Sequence, residues 1–186
     1  MPQRRSIRLR DYDYSQPGAY FVTICTAERV CLFGAIADDA MHPNAWGDIA
    51  AEERLRSGEI RREIGLDAFV VMPNHVHDIV FINETVGAIP AVEATGPMRQ
   101  RVAPLPGPPP RSLGAFIAGY KSAVTVRINR MRGTPGAPVW QRSYYDHIIR
   151  DEAALDRIRR YIAENPARWP HDRDNPAAIN PAPDPT

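Results

Sequence analysis

The apolar residues of this chain follow two periods. Ala19 to Thr26, Leu66 to Met72 and His75 to Ile82 are short runs rich in β-branched and aromatic residues, and each predicts a strand. Val30 to Phe33 reads as a short strand extension or a hairpin arm, closed by Gly34, and residues 34–46 fit no single period. From Gly47 to Glu63, Ile49, Ala50, Leu55 and Ile60 recur among charges, which predicts an amphipathic helix with Gly58 as its weak point. Ser112 caps a second helix to about Met131, with Leu113, Phe116, Ile117, Tyr120, Val124 and Ile128 on the helical period. Ser143 to Ile149 alternates and predicts a strand. Asp151 caps a last helix, whose buried stripe is Leu155, Ile158 and Ile162. Pro166 should stop it after Asn165.

The order is strand, helix, strand, strand, helix, strand, helix. It predicts an α+β fold: a ferredoxin-like antiparallel sheet with helices packed on one face, plus a C-terminal helix. One domain is expected over residues 1–169. A Pro-rich insert interrupts it at about 83–111, where Pro90, Pro97, Pro104, Pro106, Pro108, Pro109 and Pro110 exclude helix and central strand. The Pro-rich tail, 170–186, is expected to lack structure.

Composition changes the picture in one respect. The 186 residues suffice for one sizeable core, and the net charge is +1. Of the 23 basic residues only Lys121 is lysine. Arg4 and Arg5 open a basic N-terminal cluster, Arg127 follows Lys121, and Arg157, Arg159 and Arg160 surround Tyr161. Local basic clusters on a nearly neutral protein suit a phosphate-bearing partner held at one face, although biased codon use also raises arginine. Cys25 and Cys31 make no disulfide framework. No run is long enough to span a bilayer, and no apolar signal core follows Met1. A cytoplasmic home with no membrane partner is therefore expected.

The candidate chemistry lies at Met72-Pro73-Asn74-His75-Val76-His77. Pro73-Asn74 turns the chain, and one residue separates the histidines. On a strand they share a face, which makes half of a divalent-metal site. The same spacing serves equally for two hydrogen-bonded structural histidines. On the last helix, Arg157, Tyr161 and Asn165 are spaced by four and fall in one row. Taken alone, Tyr161 reads as a boundary aromatic and Asn165 as a helix end.

Together, Met72 to His77, Val139-Trp140-Gln141-Arg142-Ser143-Tyr144-Tyr145-Asp146-His147-Ile148-Ile149 and Tyr161-Ile162-Ala163-Glu164-Asn165-Pro166 resemble the REP-associated tyrosine transposases. These belong to the single-tyrosine HUH transposase superfamily. The opening segment, Arg8 to Thr26, looks like that family too. The resemblance implies that His75 and His77 bind Mg²⁺ or Mn²⁺, with Asn165 completing the shell where the wider superfamily often has Gln. It implies that Tyr161 attacks phosphorus in single-stranded DNA and becomes joined to the 5′ phosphate. Arg157, Arg159, Arg160, Lys121 and Arg127 would hold the DNA backbone, and the arm with Arg4 and Arg5 would grip a hairpin. It implies a nucleoid-associated protein acting as a monomer or homodimer. Asp78, where the family leads one to expect an apolar or small residue, is a nearby carboxylate or merely an outward strand residue. His147, Tyr144 and Tyr145 are only loose candidates for a helping base, and Trp140 fits the core better than a stacked base.

Three other readings stay open. A hairpin-DNA binding protein of the same fold would keep recognition and not cut. An RNA-binding ferredoxin-like module would show aromatics where the central strand here shows histidines. A water-using metal hydrolase leaves Tyr161 unexplained.

Overall fold

Alternation along two strands decides which helix covers which face of the sheet. A computed structural model describes residues 12–84 and 107–178. Its elements run β1 (Gly18–Cys25), β2 (Gly34–Ala37), β3 (Ala40–Pro43), α1 (Ala45–Ile60), β4 (Ile64–Val71), β5 (His75–Ile82), α2 (Leu113–Arg132), β6 (Tyr145–Ile149) and α3 (Glu152–Arg168). Four strands form one antiparallel sheet in the order β4-β5-β1-β6. This is the expected ferredoxin-like arrangement. Tyr20, Val22 and Ile24 of β1 and Val76, Val80 and Ile82 of β5 point one way, into a core with Ile49 of α1 and Phe116, Ile117, Tyr120 and Val124 of α2. Phe21 and Ile79 point the other way and meet Ala154, Ile158 and Ile162 of α3. Burying each of these isoleucines contributes about 1.5–3 kcal/mol, which is what seats α3 on the sheet.

The differences from the sequence reading have local causes. Residues 34–43 form a separate hairpin, β2–β3, turned by Asp38 and Asp39 at φ 49° and 57°. Its strands are short and rich in alanine, so they carry little strand signal. Helix α1 starts early because Asn44 accepts hydrogen bonds from the Trp46 and Gly47 amides. Gly58 is no weak point: a Cβ there would come within 2.5 Å of Leu66 Cδ1, so its bareness lets the helix lie close to β4. A register shift in β4 between Leu66 and Phe69 turns Asp67 toward both neighbouring helices.

Pro166 does not end α3. The helix continues to Arg168, and a 3₁₀ turn follows at Trp169–His171. A proline in the last turn forfeits a single backbone hydrogen bond, and its fixed φ suits a helix. The chain beyond does not run free either. Asn175 Nδ2 donates to the Trp169 carbonyl at 2.9 Å, and Asn74 Nδ2 donates to the Asp174 carbonyl at 2.6 Å. Residues 170–178, expected in an unstructured tail, thus fold back over the start of β5; 179–186 lie outside the described residues. Most of the Pro-rich insert, residues 85–106, lies outside them as well.

Candidate active and metal site

His75 and His77 occupy the face of β5 that α3 covers. They are 0 % and 3 % exposed. Their outer nitrogens are spoken for: His77 Nδ1 lies 2.8 Å from Thr23 Oγ1, its register partner on β1, and His75 Nδ1 lies 2.9 Å from Asn74 Oδ1. The inner nitrogens converge, with 3.0 Å between the two Nε2 atoms. Phe21 stacks on the His77 ring at 5.2 Å and holds it.

Helix α3 lays one row of side chains over this pair. Tyr161 Oη sits 3.3 Å from His77 Nε2, and its ring meets His77 edge-on at 5.2 Å. Trp169, eight residues on, packs against His75 at 6.1 Å. Asn165 is midway along the row, four residues from each, and so lies between them. It is 1 % exposed, and neither atom of its amide has a hydrogen-bond partner among the described residues. An unpaired buried polar group costs about 1–3 kcal/mol.

Asp172 enters from the segment after α3. Its carboxylate and the two histidines each offer a ligand atom within 4.8 Å of the others. The sequence reading missed Asp172, because it lies in a Pro-rich stretch with no period and reaches the site only when the tail folds back. Burial pushes the His75 imidazole below its ordinary value, against the upward pull of Asp172 and Asp174. Burial pushes His77 well below, helped by His75. Both rings are therefore held neutral, as metal ligation requires.

A divalent cation fits this donor set. An octahedral ion with donors about 2.1 Å away places adjacent donors about 3.0 Å apart, the spacing of the two Nε2 atoms. Two imidazoles, a carboxylate and an unsatisfied amide oxygen are donors such an ion takes.

Asp78 is not part of the site. As β5 alternates, it points to the opposite face and binds Arg54 of α1, with Arg54 Nη2 donating at 2.8 Å and Nε at 3.3 Å. Arg54 also donates to the Asp67 carbonyl and lies over the Phe69 ring.

The basic residues divide by position. Arg157 and Arg160 are exposed. With Tyr161, Glu164 and Arg168 they line an open groove of about 220 Å³ along α3. Arg168 pairs with Glu164. Arg159 grips Asp67 of β4 at 2.7 and 2.9 Å and Asp156 at 3.2 Å. Lys121 donates to the carbonyls of Gln141 and Ser143 at 2.8 and 3.1 Å, which holds the loop before β6. Arg127 binds Glu52 and Glu53 of α1 at 2.6 and 2.8 Å, on the other side of the sheet from α3. Arg4 and Arg5 lie outside the described residues. Trp140 packs on Phe33 and Tyr120 in the α1–α2 core.

The chain shares its ferredoxin-like fold with a REP-associated tyrosine transposase. A solved REP-associated tyrosine transposase, bound to a REP hairpin, superposes with a TM-score of 0.56 over 88 % of this chain and 74 % of its own, at 17 % identity. A structure from Deinococcus radiodurans matches at a TM-score of 0.38 and 21 % identity over 85 % of this chain and 96 % of its own, too loose to argue from. In sequence, the chain is 36 % identical over 171 residues to an uncharacterized protein of Haemophilus influenzae, spanning 91 % of this chain and 92 % of that one. The chain belongs to the family of that protein. No family model matches it.

Proposed function

We propose that this protein cuts and rejoins single-stranded DNA through a covalent bond to Tyr161, acting on repeats that fold into hairpins. The observation that carries the reading is the 3.3 Å between Tyr161 Oη and His77 Nε2. It brings the only row of catalytic candidates on α3 onto the only His-x-His pair, within one chain. On this reading a phosphodiester reaching Tyr161 would meet the site within one protomer.

His75, His77, Asp172 and Asn165 would hold a divalent cation, Mg²⁺ or Mn²⁺. When bound, it supplies a Lewis acid for a non-bridging phosphate oxygen. The residues of the chain do the rest. Tyr161 Oη forms a bond to phosphorus, and the bond from phosphorus to the 3′ oxygen breaks. The phenol gives up one proton and the 3′ oxygen takes one up as a hydroxyl. The phosphate ester count is unchanged, so rejoining by the reverse step needs no nucleotide cofactor.

Tyr161 is half-buried and lines the arginine groove, whereas the histidines, Asn165 and Asp172 are sealed. The scissile phosphate would enter from the groove, with Arg157 and Arg160 on the flanking backbone. Arg159, Lys121 and Arg127 already serve carboxylates or carbonyls, so their contribution would be structural. The hairpin in the solved neighbour supports hairpin DNA as the partner here. Such a substrate would place the protein with the nucleoid; among the described residues no helix is long and apolar enough to cross a membrane.

The test is incubation with hairpin-bearing single-stranded DNA and Mn²⁺, resolved on a denaturing gel. A protein–DNA adduct that vanishes in Tyr161→Phe is the expected result. Binding without any adduct would instead support a silent hairpin-binding protein. Cleavage that survives Tyr161→Phe would support a hydrolase.

A further inference from the structure

Asn74 touches neither the DNA groove nor the candidate ligand atoms, yet it is the only fully buried amide in the β4–β5 turn. Its side chain is saturated. Nδ2 donates to the Arg29 carbonyl at 3.0 Å and to the Asp174 carbonyl at 2.6 Å. Two carbonyls can only accept, so the nitrogen end of this amide must face them. The oxygen end then faces His75 Nδ1 at 2.9 Å. An amide oxygen only accepts, so His75 Nδ1 must carry the hydrogen. In a neutral imidazole the other nitrogen is then bare, and Nε2 is the atom that meets His77.

The surroundings hold this amide in place. Its own carbonyl accepts from the Thr26 amide at 2.8 Å, and the neighbouring Pro73 carbonyl accepts from Phe33 at 2.9 Å. Arg29 adopts the left-handed backbone region at φ 56°, a conformation that costs about 1 kcal/mol or more for a side chain of its kind. That conformation goes with an Arg29 carbonyl on Asn74 and an Arg29 guanidinium on Asp174, with Nη2 at 2.8 Å from Oδ1. Asp174 in turn donates its backbone N–H to Asp172 Oδ1 at 2.6 Å. One amide thus joins His75, the strained Arg29 and the segment that brings in Asp172.

We infer that Asn74 is a positioning residue with two separable jobs: its oxygen fixes His75 as the Nδ1–H tautomer, leaving Nε2 ready for a metal, and its N–H groups dock the segment that carries Asp172. The inference rests on the proposed metal reading of His75 and His77. Partners of this kind usually change metal affinity by about 10–100-fold. The two jobs respond differently to substitution. Asn74→Asp keeps an oxygen for His75 Nδ1–H but turns a second oxygen against two carbonyls. Asn74→Ala removes both ends.

The experiment uses the full chain without DNA. Mn²⁺ affinity is read by calorimetry, and docking of residues 169–178 by amide hydrogen exchange. Asn74→Ala is expected to weaken Mn²⁺ binding by about 10–100-fold and to speed exchange in 169–178. Asn74→Asp is expected to speed that exchange while holding Mn²⁺ more tightly than Asn74→Ala does. Equal Mn²⁺ affinity in Asn74→Asp and Asn74→Ala overturns the assignment and leaves Asn74 as packing. If either variant fails to fold, nitrogen chemical shifts of His75 in the wild-type chain decide the matter: an Nε2–H tautomer overturns it. Failure of the metal reading looks different, because the wild-type chain would then bind no Mn²⁺ that His75→Ala loses.

Discussion

Neighbouring buried polar residues of β5, one on each face of the sheet, are treated in opposite ways. On the face covered by α1 and α2, Asp78 is closed off with a full set of donors from Arg54, and the buried Glu53 is held by Arg127 at 2.8 Å. On the face covered by α3, one residue earlier in the same strand, His77 looks at a second imidazole 3.0 Å away and a phenol 3.3 Å away. Four residues from Tyr161 on α3, the buried amide of Asn165 has no hydrogen-bond partner among the described residues. The first arrangement is finished as it stands. The second brings two imidazole nitrogens and a phenol oxygen together around a point where, under the proposed function, a cation would sit. Here the satisfied carboxylate holds structure, and the unsatisfied amide of Asn165 lies at the candidate site.

Substitutions can break this contrast at several strengths. The largest effect is expected at the reactive face. Tyr161→Phe should lower adduct formation on hairpin DNA by at least about 10³-fold with the melting temperature unchanged. His75→Ala should likewise abolish cleavage and leave most DNA binding intact. Equal loss of both would make His75 a structural residue.

On the finished face the effect should appear in stability alone. Asp78→Ala leaves Arg54 buried and uncompensated, and should cost about 3–5 kcal/mol in urea unfolding. Mn²⁺ affinity of the folded fraction should not change. A loss of metal binding with intact stability would show that the two faces are not independent.

Acidification should distinguish the faces more gently. The folded-state values of His75 and His77 are depressed by burial, while the unfolded chain keeps ordinary histidines near 6.5. As pH falls through 6.5 the unfolded state takes up protons that the folded state refuses. Stability is therefore present above that pH and declines below it, more for His77 than for His75. His77→Gln should flatten the melting temperature between pH 7 and 5. An unchanged slope would mean that the rings charge readily in the fold.

The smallest effect is expected in the groove. Arg157→Ala or Arg160→Ala should weaken binding to all single-stranded sequences alike and reduce the salt slope by about 1 each. Arg127→Ala, on the far side of the sheet, should not.

Much of this was legible from residue order alone. Period-two runs placed β1, β4 and β5, and a one-residue gap put both histidines on one face. A four-residue spacing put Tyr161 and Asn165 in one row of α3. Three things were hidden for physical reasons. The α3 face needs the tail to fold back, and no local period announces that Asp172 will arrive there. The hairpin at 34–43 depends on two aspartates in the left-handed region, a choice made by the turn and not by the strands. The arginines beside Tyr161 looked alike in sequence, yet Arg159 is drawn off to Asp67, because the irregular register of β4 swings that carboxylate outward.

The claim on which the rest depends is that the phenol and the paired imidazoles form one reaction centre. Peptide mapping by mass spectrometry, after Mn²⁺-dependent reaction with hairpin DNA and nuclease trimming, measures it most directly. A 5′-phosphonucleotide on the peptide containing Tyr161, absent in His75→Ala, is the expected result. An adduct on any other residue, or one that forms equally well in His75→Ala, would contradict it.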